Sequence, residues 1–288
     1  MEKEIKQNIL CIIGPTASGK SARAITEALA RGGEVISVDS RQVYCGLDIG
    51  TEKISHEEMR GVPHHLIDIR DVNDSYSAGD FVIDASRLIT EIAARGRLPI
   101  LIGGTHFYFD ALLHGLPEDT SVDRRVREAL EALPTEELLA RVTAADPRRA
   151  RELDPANRRR LVRALEIIAT RGSVPPREKP LKSPTVTFSG QPYEVEWVVI
   201  DAPREELRAR IDTRLAQALA RGLVEEVRQV REQVGDGRLN ELGLEYRVIG
   251  EYLRGERSEE SLLPALSARV YQYARRQKAW LRKFPEPI

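Results

Sequence analysis

The sequence contains few cysteines, few aromatic residues and no long apolar segment. Its two cysteines, Cys11 and Cys45, provide neither a disulfide framework nor a zinc site. No apolar run approaches the ~20 residues that a membrane-spanning helix needs. The first residues, Met1–Glu4, lack the basic-then-apolar layout of a signal peptide. We therefore expect a protein of the reducing cytoplasm that does not contact a membrane.

An excess of charge of either sign is also missing. The chain has 44 Lys and Arg residues against 45 Asp and Glu, a net charge of −1, which argues against an obvious nucleic-acid-binding protein. Basic residues are nevertheless concentrated in two segments. Nine arginines and four acids lie between Arg141 and Arg171, and six basic residues and no acid lie between Arg269 and Lys283. Such segments either contact a phosphate backbone or form solvated helix faces, and charge alone does not decide between the two.

One stretch fits the pattern G-x-x-x-x-G-K-[ST] without a mismatch. An apolar run at 9–13 precedes it and apolar residues at helical spacing follow it, so it lies between a predicted strand and a predicted helix. In that setting backbone N–H groups and the helix N-terminus bind phosphate, Lys20 reaches the outer phosphates and the Ser21 hydroxyl binds Mg²⁺. The predicted residues for binding a diphosphate or nucleotide, here named the phosphate loop, are Gly14, Pro15, Thr16, Ala17, Ser18, Gly19, Lys20 and Ser21.

The order of the remaining segments predicts an α/β fold. Further strands are expected at 34–39, 63–69, 98–104 and 194–201, alternating with helices, of which 77–95 is the clearest. Residues 122–171 have only helical patterns, and residues 172–192 have the composition of a loop. The remaining helices are expected at 204–221, 224–233, 245–253 and 258–283, the last interrupted by Pro264. We predict a P-loop NTPase-like parallel sheet core formed by 1–117 and 193–288, with an all-helical insertion domain at 118–192.

Asp39 ends the predicted second strand. Ligands of open α/β sheets bind beyond the carboxyl ends of the strands, so this carboxylate is expected beside the phosphate loop, as a base or as a helix cap. An NTPase needs such an Asp followed by a Glu or Gln that positions water. Asp39 and Asp68 both end apolar runs and neither is followed by such a residue, which leaves a small-molecule kinase open. A metal site at His64 and His65 is disfavoured because neighbouring strand residues point to opposite faces.

Several further motifs, together with the phosphate loop, resemble those of the bacterial tRNA dimethylallyltransferases. They are Asp39-Ser40-Arg41-Gln42-Val43-Tyr44, Asp48-Ile49-Gly50-Thr51-Glu52-Lys53, Pro63-His64-His65-Leu66-Ile67-Asp68, Gly103-Gly104-Thr105-x-x-Tyr108, residues 154–166, Gly222-Leu223-Val224-Glu225-Glu226-Val227 and Tyr273-Ala274-Arg275-Arg276-Gln277-x-x-Trp280. The resemblance extends in order from residue 9 to residue 283.

The resemblance implies transfer of a dimethylallyl group from dimethylallyl diphosphate to the exocyclic amine of the adenine beside the anticodon of tRNA. The phosphate loop and Mg²⁺ would hold the leaving diphosphate, with Asp39 as the base, Thr16 and Lys20 as further catalytic residues, and Arg275 at the diphosphate. The implied tRNA contacts are Asp39, Ser40, Arg41, Gln42, Thr105, Arg127, Arg159, Arg160, Leu161, Val162 and Arg163. We expect the adenine to leave its stack, the insert to contact the RNA backbone, and the protein to act as a monomer.

The sequence departs from the family pattern at two places. His106 stands where a small or apolar residue is common, and residues 242–247 replace a Gly-Tyr pair, which leaves the set of modified tRNAs open. Three alternatives remain at this point: a small-molecule kinase, a tRNA-binding protein without catalysis, and the related enzyme that prenylates free adenine nucleotides. The basic insert argues against the last, because a nucleotide acceptor needs no groove for a nucleic-acid backbone.

Overall fold

A six-stranded sheet forms the base of the larger of two compact units. The computed structural model describes residues 7–116, 124–175 and 185–282. The strands are β1 (Gln7–Ile13), β2 (Gly33–Val38), β3 (His64–His65), β4 (Leu98–Gly103), β5 (Thr185–Phe188) and β6 (Gln191–Val199), in the order β3-β2-β4-β1-β6-β5. All neighbouring pairs are parallel except β5 and β6. The predicted α/β fold with a parallel core is confirmed.

Helices, turns and loops make up the rest of the described chain. The helices are α1 (Lys20–Arg31), α2 (His56–Met59), α3 (Ala78–Ala94), α4 (His106–His114), α5 (Arg124–Glu131), α6 (Thr135–Ala145), α7 (Pro147–Glu152), α8 (Arg158–Arg171), α9 (Arg204–Ala220), α10 (Leu223–Leu239), α11 (Leu244–Leu253) and α12 (Leu262–Leu281). None of the helices in the described ranges is long and apolar enough to cross a membrane.

The two compact units are Met1–Leu113 with Lys182–Ile288, and His114–Leu181. The smaller unit contains α5–α8. Apolar side chains of this unit form a core of its own, with Leu138, Val142, Leu161 and Val162 at its centre. Its helices break near Pro134, Pro147 and Pro155, as the sequence predicts. The predicted domain boundary at 117/118 lies outside the described residues, and residues 185–192, assigned to the insert from sequence, lie in the sheet of the larger unit.

Four strands end at one edge of the sheet. Ile13 at the end of β1 pairs with Gly103 of β4 and with Val199 of β6, and Val38 of β2 pairs with Gly103 as well. Residues 9–13 of β1 are apolar and fully buried, as expected for a central parallel strand covered on both faces. The residues that follow the four strands are therefore brought together at a single place.

The loop predicted at 172–192 is wrong over its described second half. Residues 185–199 form a hairpin, and its two turn residues, Ser189 and Gly190, have φ values of 48° and 77°. Positive φ at both central residues gives a turn whose twist matches that of the flanking strands. The Ser-Gly pair between two β-prone runs was the local signal for this hairpin.

The predicted third strand is shorter than expected, and one predicted helix break is absent. Only His64 and His65 pair with β2, because Leu66 and Asp68 have φ values of 62° and 55°, which extended strands do not adopt. Pro264 does not interrupt α12, since it lies in the first turn, where a backbone N–H has no helical partner.

Gly103→Ala is expected to destabilise the protein, whereas Gly237→Ala is expected to stabilise it. A Cβ at Gly103 would collide with the carbonyl oxygen of Val38 in the neighbouring strand, so the loss should reach at least the ~1–3 kcal/mol typical of an overpacked core. A Cβ at Gly237, inside α10, meets nothing within 4 Å, and alanine should gain up to ~1 kcal/mol there. Chemical unfolding of both variants checks this, and equal stabilities would contradict it.

Candidate active site

The phosphate loop connects β1 to α1 in a conformation that suits glycine and close backbone packing. A Cβ at Gly14 would lie 2.5 Å from the carbonyl oxygen of Ile200 and 2.7 Å from Ser18 Oγ. Ala17 and Gly19 have φ values of 61° and 90°, and Gly19 caps α1. Left-handed residues of this kind turn successive N–H groups towards one concavity, which binds anions.

Two polar groups of the loop lack the partner that a phosphate group would provide. Ser18 Oγ is buried and has no hydrogen-bond partner among the described atoms. Lys20 Nζ donates to the carbonyl oxygen of Pro15 at 2.6 Å. Desolvation and, to a smaller extent, the charge of Arg214 lower the pKa of Lys20 to about 7, while the charge of Asp39 opposes the shift. An anion bound here would relieve both the unpaired hydroxyl and the disfavoured ammonium charge.

Gln277 of α12 joins the phosphate loop to the end of β4. Its Oε1 accepts from Thr16 N at 2.9 Å and its Nε2 donates to the carbonyl oxygen of Gly104 at 2.9 Å. The side chain is 3% exposed. A Cβ at Gly104 would collide with Nε2, so glycine is required for this contact. The motif around residue 277 was noted in the sequence, and the structure shows what its glutamine does.

Arg214 of α9 reaches the same loop. Its Nη1 donates to Thr16 Oγ1 at 2.7 Å, and its Nε lies 3.9 Å from Glu52 Oε1. The Nε is buried without a hydrogen-bond partner among the described atoms. The sequence offered no signal for this residue, because α9 carries several arginines at unremarkable spacing.

Asp39 lies at the carboxyl end of β2 in a tight turn. Its Oδ1 accepts from the N–H groups of Arg41 at 2.8 Å and Gln42 at 3.3 Å. The Ser40 N–H donates to Thr105 Oγ1 at 3.3 Å, which ties this turn to the one after β4. The expected helix cap is wrong, because the described stretch between Asp39 and the start of α2 contains no helix, and the Asp39 carboxylate organises a turn instead. Its role as a base stays a prediction.

Two further titratable groups surround Asp39, and neither was assigned from sequence. Burial, with the charges of Asp39 and Glu245, raises the pKa of Tyr273 to about 12. Burial also raises the pKa of Glu245, Arg214 opposes this shift, and Asp39 and Glu52 add to it. Glu245 belongs to the segment 242–247 that departs from the family pattern.

His106, the other departure, packs against the last helix. Its ring stacks on Trp280 at a centroid distance of 4.0 Å and an interplanar angle of 6°. Trp280 Nε1 donates to Asp110 at 3.4 Å. The residue therefore joins the start of α4 to α12 by an aromatic contact.

Ser21 lies exposed in the first turn of α1. No group of three or more His, Cys, Asp or Glu side chains that would hold a metal ion occurs in the described ranges. A single hydroxyl suits Mg²⁺, which is bound in such sites mainly by substrate phosphates and water. The residues fit the predicted ion, and Mg²⁺ remains a prediction.

Arg275 and the predicted RNA contacts of the insert have mixed surroundings. Arg275 is exposed on α12, two positions before Gln277, and its contact with a diphosphate remains a prediction. Leu161 and Val162 are 0% and 3% exposed in the core of the smaller unit, so their side chains do not contact RNA there. The exposed members of that stretch are Arg159, Arg160 and Arg163.

A buried carboxylate lies beneath two of the predicted RNA contacts. Glu166 is 1% exposed, and its Oε2 accepts from Arg163 Nη1 at 3.2 Å. Its Oε1 lies 3.7 Å from Arg127 Nε. Arg127 and Arg163 retain half-exposed side chains, so Glu166 holds two arginines of different helices near each other at the surface of the smaller unit.

Comparison with known proteins assigns the family. The model of the family described as IPP transferase matches residues 42–284. The chain belongs to the IPP transferase family. It is 42% identical over 287 residues to the tRNA dimethylallyltransferase of Thermomicrobium roseum, covering 98% of this chain and 85% of that protein.

Solved structures of similar proteins agree with this assignment. The tRNA isopentenylpyrophosphate transferase of Bacillus halodurans is 37% identical with a TM-score of 0.71, over 97% of this chain and 88% of that one. A eukaryotic dimethylallyltransferase, described as acting on tRNA, is 27% identical with a TM-score of 0.77, over 96% of this chain and 70% of that one. The IPP transferase fold thus extends over nearly all of the chain.

Binding of inorganic diphosphate is expected to weaken as the pH rises above about 7. Below the pKa of Lys20, about 7, the ammonium is already charged and affinity should change little. Above it, binding must take up a proton, so affinity should fall by up to about tenfold per pH unit. Deprotonation of the diphosphate acts in the opposite direction and does not explain a fall.

Isothermal titration calorimetry in two buffers of different ionisation enthalpy measures both the affinity and the proton uptake. Lys20→Arg is the control, because its guanidinium stays charged over this range. An affinity of the unsubstituted protein that is independent of pH above 7, without proton uptake, would contradict the role of Lys20.

Proposed function

We propose that this protein transfers a dimethylallyl group from dimethylallyl diphosphate to the exocyclic amine of the adenine beside the anticodon in tRNA. The observation that carries the proposal is a phosphate loop facing Asp39 and Arg214 in a chain of the IPP transferase family. The relatives named tRNA dimethylallyltransferase match nearly the full chain, which supports the same donor and acceptor here.

The proposed reaction breaks the allylic C–O bond of the donor, and its electron pair leaves with the diphosphate. The loop N–H groups, Lys20 and Arg214 stabilise the negative charge that develops on the leaving oxygen. The adenine nitrogen forms the new bond to the allylic carbon, and the amine proton passes to Asp39. Thr16 accepts a hydrogen bond from Arg214 through its hydroxyl and helps to orient that guanidinium.

Ser21 is the residue that would hold Mg²⁺ in this scheme, and the bound ion would neutralise charge on the diphosphate. Lys20 and the loop N–H groups act on the same anion without it. The proton transfer to Asp39 likewise depends only on residues of this chain.

The acceptor and its recognition follow from the insert and from the family. Extrusion of the adenine from its stack is needed before its amine reaches Asp39. Arg159, Arg160 and Arg163 are exposed on one helix and supply contacts with phosphate groups. We propose that the protein works as a monomer in the cytoplasm, where tRNA is available.

A transfer assay tests the function directly. Dimethylallyl diphosphate labelled in the allyl group is incubated with Mg²⁺ and either unmodified tRNA or free AMP. Label in tRNA alone is the expected result. Label in AMP would assign the enzyme to nucleotide prenylation, and label in neither acceptor would overturn the proposal.

Asp39→Asn is expected to lower turnover by about 10²–10⁴-fold, the range for loss of a general base. Asparagine retains an oxygen that accepts from the N–H groups of Arg41 and Gln42, so the turn should survive. Because the charge of Asp39 raises the pKa of Lys20, the variant should still bind diphosphate, with the pH dependence of binding shifted towards lower pH. Turnover is measured with saturating tRNA, and weakened binding with preserved turnover would contradict the assignment.

Replacing Arg159, Arg160 and Arg163 by glutamine is expected to weaken tRNA binding and to flatten its salt dependence. Each lost phosphate contact should reduce the slope of log K against log salt by about 0.7–0.9. Arg141→Gln is the matched control, since Arg141 is exposed on α6 and pairs with Glu137. Filter binding at several salt concentrations measures the slope, and an unchanged slope in the triple variant would remove these arginines from the RNA surface.

A further inference from the structure

One carboxylate of the C-terminal helices binds a loop of the N-terminal half through an unusually complete set of hydrogen bonds. Glu226 Oε2 accepts from the N–H groups of Asp48 at 3.0 Å and Ile49 at 2.6 Å. Its Oε1 accepts from Gly50 N at 2.9 Å and from the Tyr246 hydroxyl at 2.7 Å. Three consecutive N–H groups and one hydroxyl therefore surround a single carboxylate, which is the arrangement of a backbone anion site.

The loop that Glu226 binds, residues 48–53, is here named the tethered loop. Gly50 lies against the Tyr246 ring, and a Cβ there would be 2.8 Å from the ring atoms. Glu52 has a φ of 52°, a left-handed conformation that is unfavourable for a residue with a side chain. Such a conformation persists only where the surrounding contacts enforce it, and it occurs preferentially at functional sites.

The tethered loop connects Glu226 to both halves of the active site. Glu52 Oε1 lies 3.1 Å from Arg221 Nη2 and 3.9 Å from Arg214 Nε, and Arg214 in turn donates to Thr16. Gln42, at the end of the Asp39 turn, donates to the carbonyl oxygens of Thr51 and Glu52 at 3.1 and 3.3 Å. A displacement of this loop would therefore move the contacts of the diphosphate and of the base together.

We propose that Glu226 is a positioning residue that, through the tethered loop, holds Glu52 where it orients Arg214 towards the diphosphate. The inference rests on the proposed function for its catalytic consequence, while its geometric part concerns diphosphate binding alone. Within the described residues, Glu226 contacts neither the phosphate loop nor Asp39. It therefore acts through Glu52 and Gln42.

Glu226→Gln tests the proposal because it replaces one acceptor oxygen by an amide donor of the same size. That donor faces N–H groups, so the tethered loop should move. Inorganic diphosphate should bind about tenfold or more weakly, as expected when a charged hydrogen-bond contact is misplaced. The KM for dimethylallyl diphosphate should rise more than the KM for tRNA, which is affected through Gln42.

A second readout separates positioning from a general loss of structure. Arg214→Ala should itself weaken diphosphate binding, and adding Glu226→Gln to that variant should weaken it no further, because Glu226 acts through Arg214. Glu225→Gln is the matched control on the same turn of α10. Glu225 is exposed and pairs with Arg228, and within the described residues it contacts no residue of the tethered loop. It should behave as the unsubstituted protein in every measurement.

Three results would overturn the inference. One is unchanged diphosphate affinity in Glu226→Gln, or a loss of affinity that simply adds to that of Arg214→Ala. Another is an equal loss of diphosphate and tRNA binding with a lowered melting temperature, which would make Glu226 a structural residue. If Glu226→Gln does not fold, Tyr246→Phe is the alternative variant, because it removes one of the four hydrogen bonds and keeps the ring. An unaltered diphosphate affinity in Tyr246→Phe is the third result. An unsubstituted protein that binds diphosphate but transfers no label would overturn the proposed function and leave this inference standing.

Discussion

Repulsion between two cations at one anion site is the interaction on which this arrangement depends. Arg214 lies near enough to Lys20 to disfavour its charge, and both lie in surroundings that desolvate them. Such a pair destabilises the free protein unless carboxylates lie close by. Asp39 supplies one, and Glu52, 3.9 Å from Arg214, supplies another. A bound diphosphate would attract both cations, so the electrostatic repulsion between Lys20 and Arg214 in the free site favours binding of this anion.

These charges are held together by contacts between distant parts of the sequence. Gln277 binds Thr16, 261 positions earlier, and also binds the carbonyl oxygen of Gly104. Glu226 binds Asp48 of the tethered loop, 178 positions earlier. Because the strands end at one edge, short side chains and backbone groups from each of them meet there, and the C-terminal helices fix their relative positions. The phosphate loop and Asp39 come from the first half of the chain, while Arg214, Glu226 and Gln277 come from the second.

This division explains what the sequence predicts and what it does not. The phosphate loop is a local pattern whose backbone conformation is set by nearby glycines, so its residues were found directly. Asp39 was found because it follows an apolar strand, and strand ends converge in this fold. Arg214 and Glu226 lie on amphipathic helices rich in charge, and their roles depend on tertiary contacts that no spacing encodes. The hairpin at 185–199 differs from its prediction for another reason. The proline and serine content of this segment indicates a loop, whereas the Ser-Gly turn between two β-prone runs indicates the hairpin.

The insert shows how a chain with a net charge of −1 presents a basic surface. A buried carboxylate is costly unless it is paired, and Glu166, 1% exposed, has both Arg127 and Arg163 beside it. Glu131 also pairs with Arg127 at 3.0 Å, so two carboxylates balance these two arginines, and the basic character of the surface depends on other residues. Arg159 and Arg160 stand on the exposed side of α8 and add to it, whereas Arg158 donates to the carbonyl oxygen of Glu131 and joins α8 to the end of α5. Arg158 and Arg163 of this helix therefore bind other groups of the unit, whereas the exposed Arg160 is better placed for contact with a nucleic-acid backbone.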